Sequence, residues 1–575
     1  MGLTTYRLLK KKSTIVADPD RDAGATSWLR RVAPVATTMF GADLRSLAVF
    51  RIALGTLVLM DLAGRVGDAT VLYSDSGVMT RSMALSVVNE WRWSLMLANG
   101  SETFAYLFFA ATALVAVAVI LGYRTRVATV LLWAMVISIH VRNPFATYGA
   151  DSLMRVLLFW AMLLPLGAAW SLDRRLDRDR RPVSATFVSM ASVGLFLQIA
   201  FMYWFTILLK SGDEWRSSFT AVWLALGAGQ VTSPFGEWLH QFPEALRIFT
   251  FSTVIAEIVM PIALFLPFWN GKARIIAIAT LMSLHLGIML TMSLGIFPWA
   301  SAFCMVCFLP PTFWDNALPR AVTYLKSRYS GALQVLALVS RRSPRWIPGK
   351  SGTRLAFSNG VAPEKPGVWT AFASLGPRSA PDVDLQPPPD PPQRPRVVRS
   401  SLLTNLFASF CILVALAWNV GSVSSYAVPE PVRPVSYGLG IYQTWKMFSP
   451  RPPTATRWHV IVGVLRNGAP VNLLPALVRD DYTSALSADW DVPDNLTTDY
   501  YTDIRWRYYL TDALESNRTS HQARIANHLC QNWNRQHPSE AALISVAFAF
   551  VWSPTIRGDQ PDNVSQRIVG TYDCT

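Results

Sequence analysis

Long apolar runs separated by short polar connections fill the chain up to about residue 310, and one more follows near residue 410. A helix needs about 20 apolar residues to cross a bilayer. Nine segments meet or approach that length, roughly 45–64, 103–122, 127–141, 153–170, 187–209, 248–268, 275–294, 296–310 and 401–424. The pattern predicts a polytopic α-helical membrane protein with about nine transmembrane segments. Beyond the last run the pattern becomes that of a globular domain. Strand-like residues from Arg457 to Leu465 and from Val471 to Leu473 flank Asn467-Gly468, which predicts a hairpin with a type I′ turn, positive in φ at both central residues. Ala523, Ala526, Leu529, Cys530 and Trp533 share one helical face, and Ala542 to Trp552 reads as a buried strand. Residues 426–575 are therefore expected to form a small α+β domain.

Charge sets the expected orientation. The chain holds 52 Lys and Arg against 37 Asp and Glu, a net charge of +15. The basic residues recur in alternate connections: Arg124 and Arg126, then Arg174-Arg175 to Arg180-Arg181, then Lys272 and Arg274, then Arg320 to Arg399. Cytoplasmic loops collect such residues. This spacing predicts a plasma-membrane protein with a cytoplasmic N-terminus and an extracytoplasmic C-terminal domain. The basic total is thus a topology signal that also favours contact with membrane lipid, and it implies no nucleic-acid partner. Residues 1–42 carry Lys10-Lys11-Lys12 and Arg30-Arg31 without an early apolar stretch, so they read as a cytoplasmic basic arm with no visible cleavable signal peptide. Residues 43–314 form the helical membrane domain. Residues 315–400, which include Gln386-Pro387-Pro388-Pro389-Asp390-Pro391-Pro392, are expected to be a disordered cytoplasmic insertion before a last transmembrane helix at 401–425.

Five cysteines provide no metal-binding spacing. Cys304 and Cys307 make a C-x-x-C inside an apolar run with no second pair, which favours helix packing over zinc or redox chemistry. Cys530 and Cys574 fall in the region expected outside, where disulfides persist, and are a candidate pair.

Ionisable residues inside spans are costly and mark candidate sites. Arg51 and Asp61 lie in the first span, His140 ends the third, Gln198 lies in the fifth, Glu257 in the sixth and His285 in the seventh. Arg51 with Asp61 is a possible structural pair, and His140 could sit in the interface. Together with Lys210 they suggest a polar pocket near the outer ends of several helices. Lys210 closes the fifth span in the run Ile207-Leu208-Leu209-Lys210-Ser211-Gly212-Asp213-Glu214-Trp215. A lysine at such a place commonly reaches for the head groups, and Trp215 is an ordinary interfacial anchor. Turned inward, the amine would be desolvated and partly neutral, a competent general base.

The ordered set of motifs resembles the horizontally transferred transmembrane (HTTM) domain shared by vitamin K-dependent gamma-carboxylases and their bacterial relatives. It runs from Phe50-Arg51-Ile52-Ala53-Leu54-Gly55 through Leu72-Tyr73-Ser74-Asp75-Ser76-Gly77, Arg142-Asn143-Pro144, Gly149-Ala150-Asp151 and Pro165-Leu166-Gly167 to Lys210–Trp215. His285, Leu294-Gly295-Ile296-Phe297-Pro298-Trp299 and Trp445-Lys446-Met447-Phe448-Ser449-Pro450 complete it. The resemblance implies chemistry on a reduced quinone of the vitamin K or menaquinone type, with no metal. In the carboxylases a lysine deprotonates the hydroquinone, oxygen turns it into a strong base, and that base takes a γ-proton from glutamate before carbon dioxide adds. Lys210 matches that lysine, His285 looks like the histidine before the glycine–phenylalanine–proline turn, and His140 is a third catalytic candidate. Arg51, Asp61, Asn143, Asp151, Asp213, Trp215 and Glu257 are the candidate pocket residues. The animal enzymes carry a lysine pair where this chain has Leu209-Lys210, and an asparagine–histidine where it has Arg142-Asn143-Pro144.

Two function classes follow. One is a quinol-dependent carboxylase or epoxidase, a lyase-like enzyme acting on an exported peptide or on the quinone itself. The other is a non-catalytic membrane component for export, maturation or assembly of a partner protein. A transporter is disfavoured, since the spans show no internal repeat.

Overall fold

The computed structural model describes residues 34–178, 185–320, 398–483, 490, 493, 496–515, 518–555 and 564–574. The expected insertion at 315–400 and the basic arm fall mostly outside these residues. The membrane domain is built on α1 (Leu44–Arg65), α2 (Glu102–Leu121), α3 (Thr125–Arg142), α4 (Gly149–Met162), α5 (Met190–Leu209), α6 (Pro243–Ala263), α7 (Asn270–Thr291), α8 (Phe297–Cys304) and α9 (Leu402–Val423). Side-chain oxygens of Asp43, Ser101, Ser189 and Ser401 accept the first free backbone N–H groups of α1, α2, α5 and α9 and so fix where each begins.

Among the described residues, seven of these helices, all but α4 and α8, are long and apolar enough to cross a membrane. The count rises to eight if the bent pair Phe297–Phe308 and Phe313–Arg320, which turns by 90°, is one span. Two of the nine expected runs, 153–170 and 296–310, do not form a single helix of that length. The run at 153–170 contains the 14-residue α4, about 21 Å at 1.5 Å per residue, and the chain beyond it continues to Asp173, which accepts from Arg124 N and Thr125 N at the start of α3, so the segment still runs from one end of α3 to the other. Its Leu153, Met154, Val156, Leu157 and Leu158 are fully covered by protein, so its apolar letters record burial in the bundle and not contact with lipid. By contrast α6 and α7 expose Ile248, Ile255, Val259, Ile276, Leu286 and Leu290, as lipid-facing helices do.

Strands β1 (Ala42–Asp43) and β2 (Thr186–Phe187) form a small antiparallel pair beside α1. The C-terminal domain holds an antiparallel sheet of β3 (Ala455–Leu465), β4 (Pro470–Asn472), β5 (Leu543–Pro554) and β6 (Ser565–Asp573), in the order β4-β3-β5-β6. Two helices, α10 (Ile504–Leu510) and α11 (Thr519–Gln536), accompany it, and Ile525, Leu529 and Trp533 of α11 are buried in its core. A disulfide joins Cys530 of α11 to Cys574 just past β6, with Cα atoms 5.5 Å apart. The expected hairpin forms between β3 and β4, but only Gly468 takes positive φ, at 85°. Gly468 N–H donates to Leu465 O, so the turn is of the three-residue kind with a left-handed glycine, and not type I′.

The segment after α9 runs back into the bundle. Gln443 Nε2 donates to Gln198 Oε1 at 3.1 Å, Trp445 Nε1 to Gln443 Oε1 at 3.0 Å, and Arg155 to the carbonyls of Gly440 and Tyr442 at 2.7 and 2.9 Å. This explains the polar Gln198 in a span: it holds the strand of chain that seats the C-terminal domain.

Candidate functional site

A cavity of about 1080 Å³ lies between the C-terminal half of α5, the middle of α6, the face of α7 and the C-terminal domain. Its apolar wall includes Met202, Leu284, Ile288, Met292 and Phe297, while His459, Phe550 and Tyr508 close it from the domain side. Lys210 caps α5 and turns inward. Its Nζ donates to both carboxylate oxygens of Glu257, at 2.9 and 2.6 Å, and sits 4.2 Å from the centre of the Trp215 ring. The indole Nε1 of Trp215 in turn donates to Phe448 O at 2.9 Å, which holds the ring in place. A second couple shares the chamber: the Tyr203 hydroxyl is 2.7 Å from His285 Nε2. His285 Nδ1 is buried with no hydrogen-bond partner among the described residues. Tyr148 lines the cavity as well and accepts from Ile296 N at 2.9 Å. Gly295, at φ +58°, permits this approach, since a Cβ there would stand 2.5 Å from the tyrosine oxygen.

A different cluster is packed behind that wall. Arg65 Nε donates to Asp61 Oδ2 at 2.8 Å, and the same guanidinium reaches Asp151 and the Tyr73 hydroxyl. Arg505 of α10 enters from the C-terminal domain to meet Asp61 and, at 3.2 Å, Asp151 Oδ1. His140 Nε2 lies 3.2 Å from that same oxygen, and Asp151 Oδ2 accepts from Tyr148 N at 2.8 Å. No member of the set Arg65, Asp61, Asp151, His140 and Arg505 is more than 3 % exposed. Asp61, His140 and Asp151 come close enough together to hold a metal ion. Two guanidiniums already occupy their carboxylates, however, so the charge a cation would bring is supplied by the chain itself.

The family model of the HTTM domain matches residues 41–314, the stretch that contains every helix from α1 to α8. The chain carries an HTTM domain. It is a multi-pass membrane protein. No curated protein and no solved structure matches it.

Within the HTTM domain the expected single pocket is divided. Lys210, Trp215, Glu257 and His285 line the cavity, whereas His140, Asp61 and Asp151 belong to the closed cluster. Arg51 and Asp61 do not pair. They stand ten residues apart on α1, about 15 Å along its axis, and Arg51 donates to Leu166 O and Trp170 O at 3.1 and 2.7 Å. Asn143 is a structural residue that donates to Leu72 O at 2.9 Å and caps the turn at Ala146. Asp213 begins the short helix Asp213–Arg216, is exposed, and does not line the cavity. The expected neutral amine is also revised: Lys210 has a carboxylate partner. Tyr203 was missed although it lies seven residues before Lys210, two turns along the same helix face. Arg65 was missed although it stands four residues after Asp61, a standard helical pairing distance.

Proposed function

We propose that the protein is a quinol-dependent membrane enzyme of the carboxylase or epoxidase type, with Lys210 as its proton acceptor. The observation that carries this reading is the amine of Lys210 in the cavity wall, bonded to Glu257 and backed by Trp215. A proton handed from Lys210 to Glu257 leaves an uncharged amine beside an uncharged acid, an exchange that the burial of both side chains makes less costly than separating the charges. That amine can take a proton from a hydroxyl held within about 3 Å. Tyr203 orients His285 through Nε2, and the unpartnered Nδ1 of His285 is available to a ligand oxygen or hydroxyl.

The chamber suits an apolar ring with polar edges. Its volume is near the upper end of the ~300–1,000 Å³ range usual for ligand sites, and its lining combines Met, Leu, Ile and Phe side chains with the Lys210–Glu257 and Tyr203–His285 couples. A bound reduced quinone, of the vitamin K or menaquinone type, would supply the electrons for reducing oxygen. The C-terminal domain, which the loop charges favour on the extracytoplasmic face of the plasma membrane, would close the chamber against water and present an exported peptide.

One observation favours the non-catalytic alternative. The outer side of β6 has no strand partner among the described residues, and an extended peptide can add to such an edge. Cutting the chain after α9 cannot separate the two readings, because His459, Ile504 and Tyr508 are part of the cavity wall. The separating experiment incubates the purified protein in lipid with a reduced quinone, oxygen and labelled bicarbonate. Quinone epoxide with label in an acceptor supports the carboxylase reading, and epoxide alone supports the epoxidase reading. Neither product transfers the assignment to partner docking.

A further inference from the structure

The cavity has a cationic rim that the proton chemistry at Lys210 does not use. Lys446, Arg451, Arg457 and Arg507 all line it, and among the described residues the only acidic side chain in the lining, Glu257, is taken by Lys210. Arg451 stands 3.7 Å from Glu214, and Arg507 donates to the Gln230 carbonyl, which does not neutralise its charge. Lys446 and Arg457 are exposed, and among the described residues neither has an ion-pair partner.

The part of the cavity between α6 and α7 has another character. Ser252, Thr253 and Ala256 of α6 face Thr280, Ser283 and Gly287 of α7, a lining of small side chains between two helices that present their other faces to lipid. A Cβ added at Gly287 would meet nothing within 4 Å. Beside the gap lies the short helix Pro234–His240, whose Phe235 and Leu239 line the cavity. Its exposed Phe235 and Trp238 rings stack at 5.4 Å, and exposed Phe242 packs on Trp238 at 5.2 Å. Exposed aromatic rings grouped in this way mark the level of the lipid head groups.

We propose that the cavity binds a lipid-borne amphiphile with a phosphate or carboxylate head. The head lies among Lys446, Arg451, Arg457 and Arg507, and the hydrocarbon chain lies in the gap between α6 and α7. A wholly soluble anion would have no use for the gap, and a neutral lipid would have no use for the rim. The aromatic helix places both at the depth where a head group meets its chain. This binding does not depend on the quinol reading, because the head is held at the rim and is measured without turnover.

The test uses the full-length protein in phosphatidylcholine nanodiscs and equilibrium binding of radiolabelled dodecyl phosphate and dodecanol. Dodecyl phosphate is expected to bind more tightly than dodecanol. The double variant Lys446→Ala/Arg457→Ala, which removes side chains without ion-pair partners, should weaken the phosphate by about tenfold or more and leave the alcohol unchanged. Gly287→Trp should weaken both. Equal affinity for the two probes, or an unchanged phosphate affinity in the double variant, overturns the rim assignment. Unaltered binding by Gly287→Trp overturns the chain path. Inorganic phosphate competing as well as dodecyl phosphate would make the ligand a soluble anion and overturn the lipid-borne source.

Discussion

Two groups of buried charges lie on either side of Tyr148, and they are built for opposite ends. In the closed cluster two guanidiniums meet two carboxylates and a histidine, and no member lines the cavity. In the open cluster a lysine and a glutamate meet, a histidine keeps one ring nitrogen without a partner among the described residues, and all three line the cavity. Burial alone therefore does not distinguish a reacting group from a structural one. The distinction is whether the charged atoms have somewhere to pass a proton. The closed cluster locks the C-terminal domain to the bundle through Arg505, and the open cluster uses the chamber that this docking completes.

The largest contrast should come from Lys210→Gln. If the open cluster is catalytic, quinol turnover falls by about 10²–10⁴-fold while the thermal unfolding midpoint stays close to the parent value, because the glutamine amide can still donate to Glu257. Equal loss of stability and activity would make Lys210 a structural residue and erase the contrast. Arg505→Ala should do the reverse. It strips a partner from both Asp61 and Asp151, and removing one member of a buried ion cluster costs about 3–5 kcal/mol. Denaturant unfolding should show that cost, and limited proteolysis should release the C-terminal domain. A variant that stays docked and stable would dismiss Arg505 as the lock.

These two sites were unequally legible in the sequence. Lys210 and Trp215 stand in one short run, and the polar Glu257 and His285 interrupt apolar helices, so the open site could be assembled from letters alone. Asp61 was visible too, but its partners were not. Arg505 lies 354 residues from Asp151, and which side chain of a globular domain enters a helix bundle is decided by docking and not by any local period. The fold shows the same limit. Hydropathy located the seven long helices and α4, yet did not reveal that α4 is covered by protein, because a helix buried in protein and one buried in lipid need the same apolar letters.

Two smaller effects sharpen the domain side of the comparison. Cys530→Ser removes the bond between α11 and the end of β6, which should cost about 2–5 kcal/mol in unfolding of the C-terminal domain. The Lys210 couple should be unaffected, so turnover below the new melting point should match the parent. Acid should act more weakly. Burial lowers the His528 imidazole below its ordinary value, and Arg524 beside it acts in the same direction, against the opposing influence of the Ser76 carbonyl and Asp480. The folded state thus prefers the neutral ring. Its contribution is complete above the ordinary histidine value of about 6.5 and is lost as pH falls through the lowered folded value. Because His528 Nδ1 faces Ser76 O of the membrane domain at 3.3 Å, the melting point should drop on acidification, and His528→Gln should flatten that drop. An unchanged acid slope in the variant would assign the pH response to other groups.

The most direct measurement is quinone epoxide formation by the purified protein in lipid, compared between the parent and Lys210→Gln at equal amounts of folded protein. The account predicts epoxide from the parent and almost none from the variant. No epoxide from the parent, or the same yield from both, would contradict it.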